Sequence, residues 1–333
     1  MNTEYIIFFT ILFLLNIFLA FNFDKYSNFF KIVDKPDDLR KLHKKETKVF
    51  GGTIILLNLL FTMIFFLIFD YDLIDQIFDD KKKLIIFAFT VLLIFLTGIY
   101  DDWINLPPIN KTIILILVLS ISLYLDKNLI TDINISFYKI IFLNKFAIFF
   151  TIFCYLVFMN AFNMLDGINL QTGFYSIFLT IFLIINDLNI IFGITLIIAI
   201  FTYLKLNHQN KIFLGDNGSL LLSFLFSYLF IKLYNQGKII YSDDILIVLL
   251  IPGLEVIRLT LKRIISNKSI LRPDRNHIHH LITFKNKPYI GFLLIQFILI
   301  FPYSITYLIP NNLYVIILSV IVYSFVIYLF SKK

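Results

Sequence analysis

The sequence predicts an all-α, polytopic membrane protein built as a single domain over residues 1–333. Three observations carry this. The composition is 59% hydrophobic with 40 Phe, against roughly 45–50% apolar in soluble domains. Apolar runs of about 20 residues, the length a helix needs to cross a bilayer, recur along the whole chain. The runs also lack the short apolar–polar alternation of lipid-facing β-strands. The formal charge of +7 suggests a basic membrane face rather than a nucleic-acid partner.

Eleven spans are expected, at about 5–23, 49–69, 84–100, 112–125, 146–162, 173–186, 188–204, 219–233, 244–261, 289–308 and 312–330. The first run follows Met-Asn-Thr-Glu, without a basic n-region or a small-residue cleavage site, and reads as a retained helix. The break Asn186-Asp187-Leu188-Asn189 is expected to be a tight hairpin between two spans. Cys154, the single cysteine, lies inside an apolar run and reads as a small buried hydrophobe.

Basic residues set the orientation. If the loop after the first span is cytoplasmic, the cytoplasmic segments are 24–48, 101–111, 163–172, 205–218, 262–288 and 331–333. They hold twenty of the 29 Lys and Arg, and the opposite loops hold seven. By the positive-inside rule the amino terminus is then outside and the carboxyl terminus cytoplasmic. Every polar motif described next falls on the cytoplasmic side.

The first motif is a basic loop, Asp34-Lys-Pro-Asp-Asp-Leu-Arg40-Lys41-Leu-His43, followed by Thr47 and Gly51-Gly52. Arg40, Lys41 and His43 suit a phosphate, while Lys44, Lys45 and Lys48 equally suit lipid headgroups. The glycine pair allows close helix approach. The second motif, Gly98-Ile-Tyr-Asp101-Asp102, puts adjacent carboxylates at a membrane boundary. Such a pair is costly there, and suits metal–diphosphate chemistry or proton abstraction.

The third motif is Asn160-Ala-Phe-Asn163-Met-Leu-Asp166-Gly167-Ile-Asn169. Its three-residue spacing sets Asn160, Asn163 and Asp166 on one helix face, turned toward protein or water rather than lipid. The fourth is Phe213-Leu-Gly215-Asp216-Asn217-Gly218-Ser219. It places a carboxylate able to hold Mg²⁺ at a helix amino terminus, where free N–H groups favour phosphate. The fifth is Arg272-Pro-Asp-Arg275-Asn-His277-Ile-His279-His280. With no cysteine ligands and no H-x-x-x-H spacing, a phosphate clamp is a better reading than zinc. Acids, amides, glycines, arginines and histidines on one side of one membrane suit phosphoryl transfer. The reaction would join a soluble nucleotide diphosphate to something dissolved in the bilayer.

In this order the motifs resemble the polyprenyl-phosphate N-acetylhexosamine-1-phosphate transferases, glycosyltransferase family 4. That family includes the enzymes that start O-antigen, enterobacterial common antigen and teichoic acid linkage units, and phospho-N-acetylmuramoyl-pentapeptide transferase. The resemblance runs from about residue 34 to 280. The ending D-R-N-H-x-H-H, in place of three consecutive histidines, is similar to the N-acetylhexosamine branch.

The resemblance implies a bacterial inner-membrane enzyme. It would move N-acetylhexosamine-1-phosphate, GlcNAc-1-phosphate by this branch, from a UDP-sugar to undecaprenyl phosphate and release UMP. It implies Mg²⁺, with Mn²⁺ as an alternative ion, and leaves room for a homodimer. Carried over, Asp216 is the main metal ligand and Asn163 a second. Asp101 and Asp102 serve the lipid phosphate, and Asn163 and Asp166 lie near the nucleotide. Phe213 stacks on uracil, and Arg272, Arg275, His277, His279 and His280 bind the diphosphate and sugar.

The sequence departs from the family pattern at Thr47-Lys48, Asn105, Leu170-Gln171 and His208-Gln209-Asn210, and none of these changes removes a core acid. One rival reading is the muramoyl-pentapeptide reaction on the same fold. Another is a transporter of a phosphorylated solute, which would show broken helices with polar groups near the midplane. A scaffold that has lost catalysis is a third, and the retained acids argue against it.

Overall fold

Each of the eleven apolar segments folds into a helix, and five of the intervening loops add elements of their own. The computed structural model describes residues 3–30, 32–34, 46–69, 71–267, 277–285 and 288–331. In chain order the elements are α1 (Thr3–Phe30), β1 (Val33–Asp34), β2 (Thr47–Val49), α2 (Gly51–Phe69), α3 (Tyr71–Phe78), α4 (Lys81–Ile104), α5 (Pro108–Asp126), β3 (Asp132–Ile133) and β4 (Ile141–Phe142). They continue with α6 (Ala147–Leu165), α7 (Gln171–Ile185), α8 (Ile190–His208), β5 (Ile212–Phe213), α9 (Gly215–Asn235), α10 (Ser242–Ile265), α11 (Ile278–Lys285), α12 (Pro288–Thr306) and α13 (Asn312–Ser331).

Among the described residues nine helices are long and apolar enough to cross a membrane: α1, α2, α4, α5, α6, α8, α9, α12 and α13. The chain is a polytopic helical membrane protein. The two other expected spans are helices of a different character. α7 is apolar but has 15 residues. α10 carries Asp243, Asp244, Glu255, Arg258, Lys262 and Arg263 along its 24 residues. The expected hairpin is present: α7 ends at Ile185, and Asn189 caps α8 by accepting from the Ile191 and Phe192 N–H groups at 3.0 and 3.3 Å.

Helix α9 is the central post. Its apolar window is wholly buried, and it packs on α2, α4, α6 and α7. Aromatic rings fill the seams, with Phe87 of α4 at 4.5 Å from Tyr228 and Tyr155 of α6 at 5.7 Å from Phe224. Between helices in lipid, close packing of this kind supplies the association energy, because hydrocarbon already solvates apolar side chains. α1, α5 and α13 lie at the rim, with most of their apolar windows unburied.

Small strands tie the loops at one end of the bundle. β1 pairs antiparallel with β2 (Val33 opposite Lys48), and β2 pairs parallel with β5 (Lys48 opposite Ile212). This sheet gathers the carboxyl end of α1 and the amino ends of α2 and α9. At the far end the β3–β4 hairpin is held by Asp243, whose carboxylate accepts from Ser136 N at 2.8 Å, Ser136 Oγ at 2.5 Å and Asn312 Nδ2 at 2.6 Å. A charge cluster around the exposed Asp79 joins α4 and α9 at that same end. Asp79 accepts from Lys83 Nζ at 2.8 Å and from Lys232 Nζ, with Lys232 5% exposed.

Candidate active site

All the acids of the second, third and fourth motifs meet at the end of the bundle that carries the three-stranded sheet. α4 continues past its expected end to Ile104, so Asp101 and Asp102 lie on its last turn rather than in a loop. Asp216 lies on the first turn of α9, and Asn163 on the last turn of α6. Asn163 Nδ2 donates to Asp216 Oδ1. Lys111, in the first turn of α5, reaches Asp101 Oδ2 at 2.7 Å and Asp216 Oδ1 at 3.0 Å. One ammonium thus bridges two carboxylates from different helices.

Asp102 has a separate task. Its Oδ1 accepts from the Asp216 N–H at 2.9 Å, and its Oδ2 from Asn217 N at 3.0 Å and Asn217 Nδ2 at 2.6 Å. These N–H groups have no acceptor within α9, and a carboxylate there also meets the positive end of the helix dipole. The sequence suggests that this helix end awaits a phosphate. In the structure its anion is Asp102.

The glycines explain how the helices come so close. A Cβ on Gly98 would stand 2.3 Å from Asn217 Cα, and one on Gly52 would stand 2.5 Å from Gly218 N. α2 and α4 therefore pinch the start of α9 from two sides, which sets Asp216 relative to Asp101. A similar approach joins the third and fifth motifs: a Cβ on Gly167 would lie 2.2 Å from His279 Nε2.

Asp166 closes α6, and its carboxylate accepts from Thr172 Oγ1 at 2.9 Å. Burial raises its pKa to about 7. The Thr172 hydrogen bond opposes that rise, and the charges of Asp216 and Asp34 add to it. The loop that follows is fixed to the α8–α9 connection, because Asn207 Oδ1 accepts from Leu170 N at 2.7 Å and Asn207 Nδ2 donates to Ile212 O at 2.9 Å. Leu170 adopts φ 71°, a left-handed conformation that costs roughly 1–2 kcal/mol for a side-chain-bearing residue. This is one of the positions where the chain departs from the family pattern.

The three histidines form one cluster, with ring centroids 4.3 Å apart for His279–His280 and 5.3 Å for His277–His279. His279 is 3% exposed. Burial, then the neighbouring His280 and His277, push its pKa well below the ordinary histidine value, so the ring is neutral at pH 7. Phe213 is half-buried on β5, and its carbonyl accepts from Phe50 N at 3.3 Å. Asn160, expected on the same face as Asn163, is exposed. Arg40, Lys41, His43, Arg272 and Arg275 lie outside the described residues.

The donor chemistry fits a hard divalent cation. Asp101 and Asp216 converge on a cation already, the Lys111 ammonium, and the Asn163 amide points at the same oxygen of Asp216. Turning that amide over would present its oxygen to the cation. Two carboxylates and an amide leave room for phosphate and water ligands, which is how Mg²⁺ is usually held. Among the described residues no group of three or more His, Cys, Asp or Glu is placed to hold a metal ion by itself, so the Asn163 amide and ligands from substrate and water would complete the set.

Sequence reading missed Lys111, Thr172 and Asn207. Lys111 did leave a signal, since a cation in the first turn of a helix opposes the helix dipole. Asn207 left none beyond being polar at the end of an apolar run.

Known proteins resemble much of this chain. Residues 84–234 match the model of glycosyl transferase family 4. The undecaprenyl-phosphate alpha-N-acetylglucosaminyl 1-phosphate transferase of Escherichia coli (strain K12) is 27% identical over 266 residues, 75% of this chain and 69% of the relative. A probable undecaprenyl-phosphate N-acetylglucosaminyl 1-phosphate transferase of Bacillus subtilis (strain 168) is 26% identical over 74% of this chain and 68% of its own length. The Haemophilus influenzae protein that carries the first of these two names is 35% identical over 95 residues, 26% of each chain. The matched segment holds the acid pair, Lys111, the Asn163–Asp166 ladder and Asp216, and over it the chain is similar to glycosyl transferase family 4.

Proposed function

We propose that the protein transfers N-acetylglucosamine-1-phosphate from UDP-N-acetylglucosamine to undecaprenyl phosphate, releasing UMP. The observation that carries this reading is the convergence of Asp101, Asp216, Asn163 and Lys111 at one end of the bundle. The histidine cluster around His279 lies beyond Gly167. The names of the relatives supply undecaprenyl phosphate and the N-acetylglucosaminyl 1-phosphate group, and the UDP donor is part of the proposal.

In this reading an oxygen of the lipid phosphate attacks the sugar-proximal phosphorus. The bond from that phosphorus to the bridging oxygen breaks, and UMP leaves with the oxygen. Asp216 and Asn163 hold Mg²⁺, which when bound neutralises the diphosphate. Asp101 orients the attacking phosphate. Lys111 exchanges its carboxylate partners for phosphate oxygens. Asp102 keeps the amino end of α9, and so Asp216, in register. The imidazoles of His277, His279 and His280, with Arg272 and Arg275, grip the diphosphate and sugar, and Phe213 offers a face to uracil. One diphosphate is exchanged for another, so the reaction runs near thermoneutral and reverses with UMP.

The same reading has α7 and α10 completing eleven spans in a bacterial plasma membrane, with the amino terminus outside and the site facing the cytoplasm. The basic residues on the site side support that orientation. The test is a radiolabel assay with purified protein, undecaprenyl phosphate, Mg²⁺ and a panel of UDP-N-acetylhexosamines plus UDP-muramoyl-pentapeptide. Label should move into lipid from UDP-N-acetylglucosamine, need Mg²⁺ and return on addition of UMP. Transfer from the muramoyl donor alone would move the protein to the peptidoglycan reaction, and no transfer from any donor would sink the proposal.

A further inference from the structure

We infer that Glu255 is a positioning residue for the histidine cluster, acting through the amino terminus of α11. Glu255 lies in α10 and is 2% exposed. Both of its oxygens are doubly occupied. Oε1 accepts from Arg258 Nη2 at 2.7 Å and from the Ile278 N–H at 2.7 Å. Oε2 accepts from Arg258 Nε at 3.0 Å and from the Tyr323 hydroxyl of α13. Arg258 Nε also lies 3.0 Å from that hydroxyl.

Three of these bonds tie α10 to itself and to α13. The fourth reaches the first residue of α11, whose N–H has no acceptor within its own helix. A carboxylate at that point also meets the positive end of the helix dipole. His279 and His280 are the next two residues. Ile278 and Ile282 are 1% and 0% exposed, so one face of α11 is seated in the core and Glu255 fixes its end.

The rotation of α11 sets His279 against Gly167, where no Cβ would fit, and Gly167 follows Asp166 in the chain. The connection thus runs from Glu255 through the Ile278 N–H to the imidazoles and on to the α6–α7 loop. A carboxylate buried only to hold two helices together would not need a backbone N–H from a third element. The inference rests on the reading that the histidines face the nucleotide-sugar donor.

The test uses the full-length protein in detergent, with Glu255→Gln as the main variant, Glu255→Asp should the first not fold, and Tyr323→Phe as the control that keeps the Ile278 N–H bond to Glu255. Two quantities are read: backbone amide exchange across 278–281, which needs no activity, and KM for each substrate. Losing a charge-assisted hydrogen bond predicts exchange roughly tenfold faster and a donor KM roughly tenfold higher. The KM for undecaprenyl phosphate and kcat should stay within about threefold, and Tyr323→Phe should approach wild type. Unchanged exchange in a folded variant overturns the inference. So does an equal rise in both KM values, the mark of a general packing defect. Faster exchange in a protein that uses no donor at all would leave the positioning role standing and remove the proposed reaction instead.

Discussion

The two ends of the bundle bury charge in opposite ways. At the far end Asp79 sits between Lys83 and Lys232, and Asp243 is surrounded by donors from Ser136 and Asn312. At the site end Asp101 and Asp216 share one ammonium, with Asp102 and Asp166 close by. At the far end these contacts tie helices and the hairpin together. Among the described residues at the site end two carboxylates share Lys111, an arrangement that leaves room for a further positive partner. The contrast separates groups kept for folding from groups kept for chemistry.

The sharpest way to break the comparison is Asp216→Asn. Transfer activity should fall by roughly a thousandfold or more, the scale seen when a key charge-stabilising group is lost. The melting temperature should hold or rise, because one crowded carboxylate is gone. A thermal melt beside the radiolabel assay checks both. A loss of activity that merely tracked unfolding would return Asp216 to a structural role.

Lys111→Gln comes next. Without its ammonium the acids repel one another, and the apo protein should melt earlier. Mg²⁺ should then raise the melting temperature of this variant more than that of the wild type. At a hundred times Kd a ligand adds about 2.7 kcal/mol, enough to resolve by differential scanning fluorimetry. Equal Mg²⁺ shifts in both proteins would count against a shared cation site.

At the far end Asp79→Asn leaves Lys232 buried without its carboxylate. Stability should fall by about 1–3 kcal/mol, reduced because Asp79 is itself partly exposed, and kcat of the folded protein should be unchanged. Chemical denaturation and turnover on the same sample would show whether the two ends are in fact separable.

The smallest effect is a pH slope. Burial alone would raise the Asp79 carboxyl, but hydrogen bonds from Lys232 and Lys83 hold it below its usual range. Its contribution is therefore present above about pH 4 and lost only as pH falls further, leaving the far end flat at neutral pH. Asp166, raised to about 7, behaves in reverse. Its contribution is present in acid and lost as pH rises through 7. Metal-free protein should lose stability between pH 6 and 8, by less than about 1.4 kcal/mol for one proton. Asp166→Asn should flatten that slope.

Much of this was legible in the sequence because apolar length is a strong signal. All eleven apolar segments became helices, and the short Asn-Asp-Leu-Asn break did turn the chain. What escaped were features without periodicity: α3, the β3–β4 hairpin, and a three-stranded sheet whose strands are two or three residues long. Within the site, residue types were readable and their division of labour was not. Asp101 and Asp102 are neighbours in sequence, yet one meets Lys111 while the other caps a helix 114 residues away. Only the way α4 crosses α9 separates them. Lys111 and Glu255 were passed over because single charges in or near apolar runs resemble ordinary anchors.

The complete burial of α9 has a consequence for how the protein is made. Among the nine membrane-length helices it has the lowest mean hydropathy, and it carries Lys232 and four serine and asparagine side chains buried along its length. Alone, such a segment partitions poorly into lipid. The helices that shelter it on two sides, α4 and α6, precede it in the chain, so they are synthesised first. Assembly is thus ordered by the chain itself: the helix bearing Asp216 enters the membrane as a guest of partners already there.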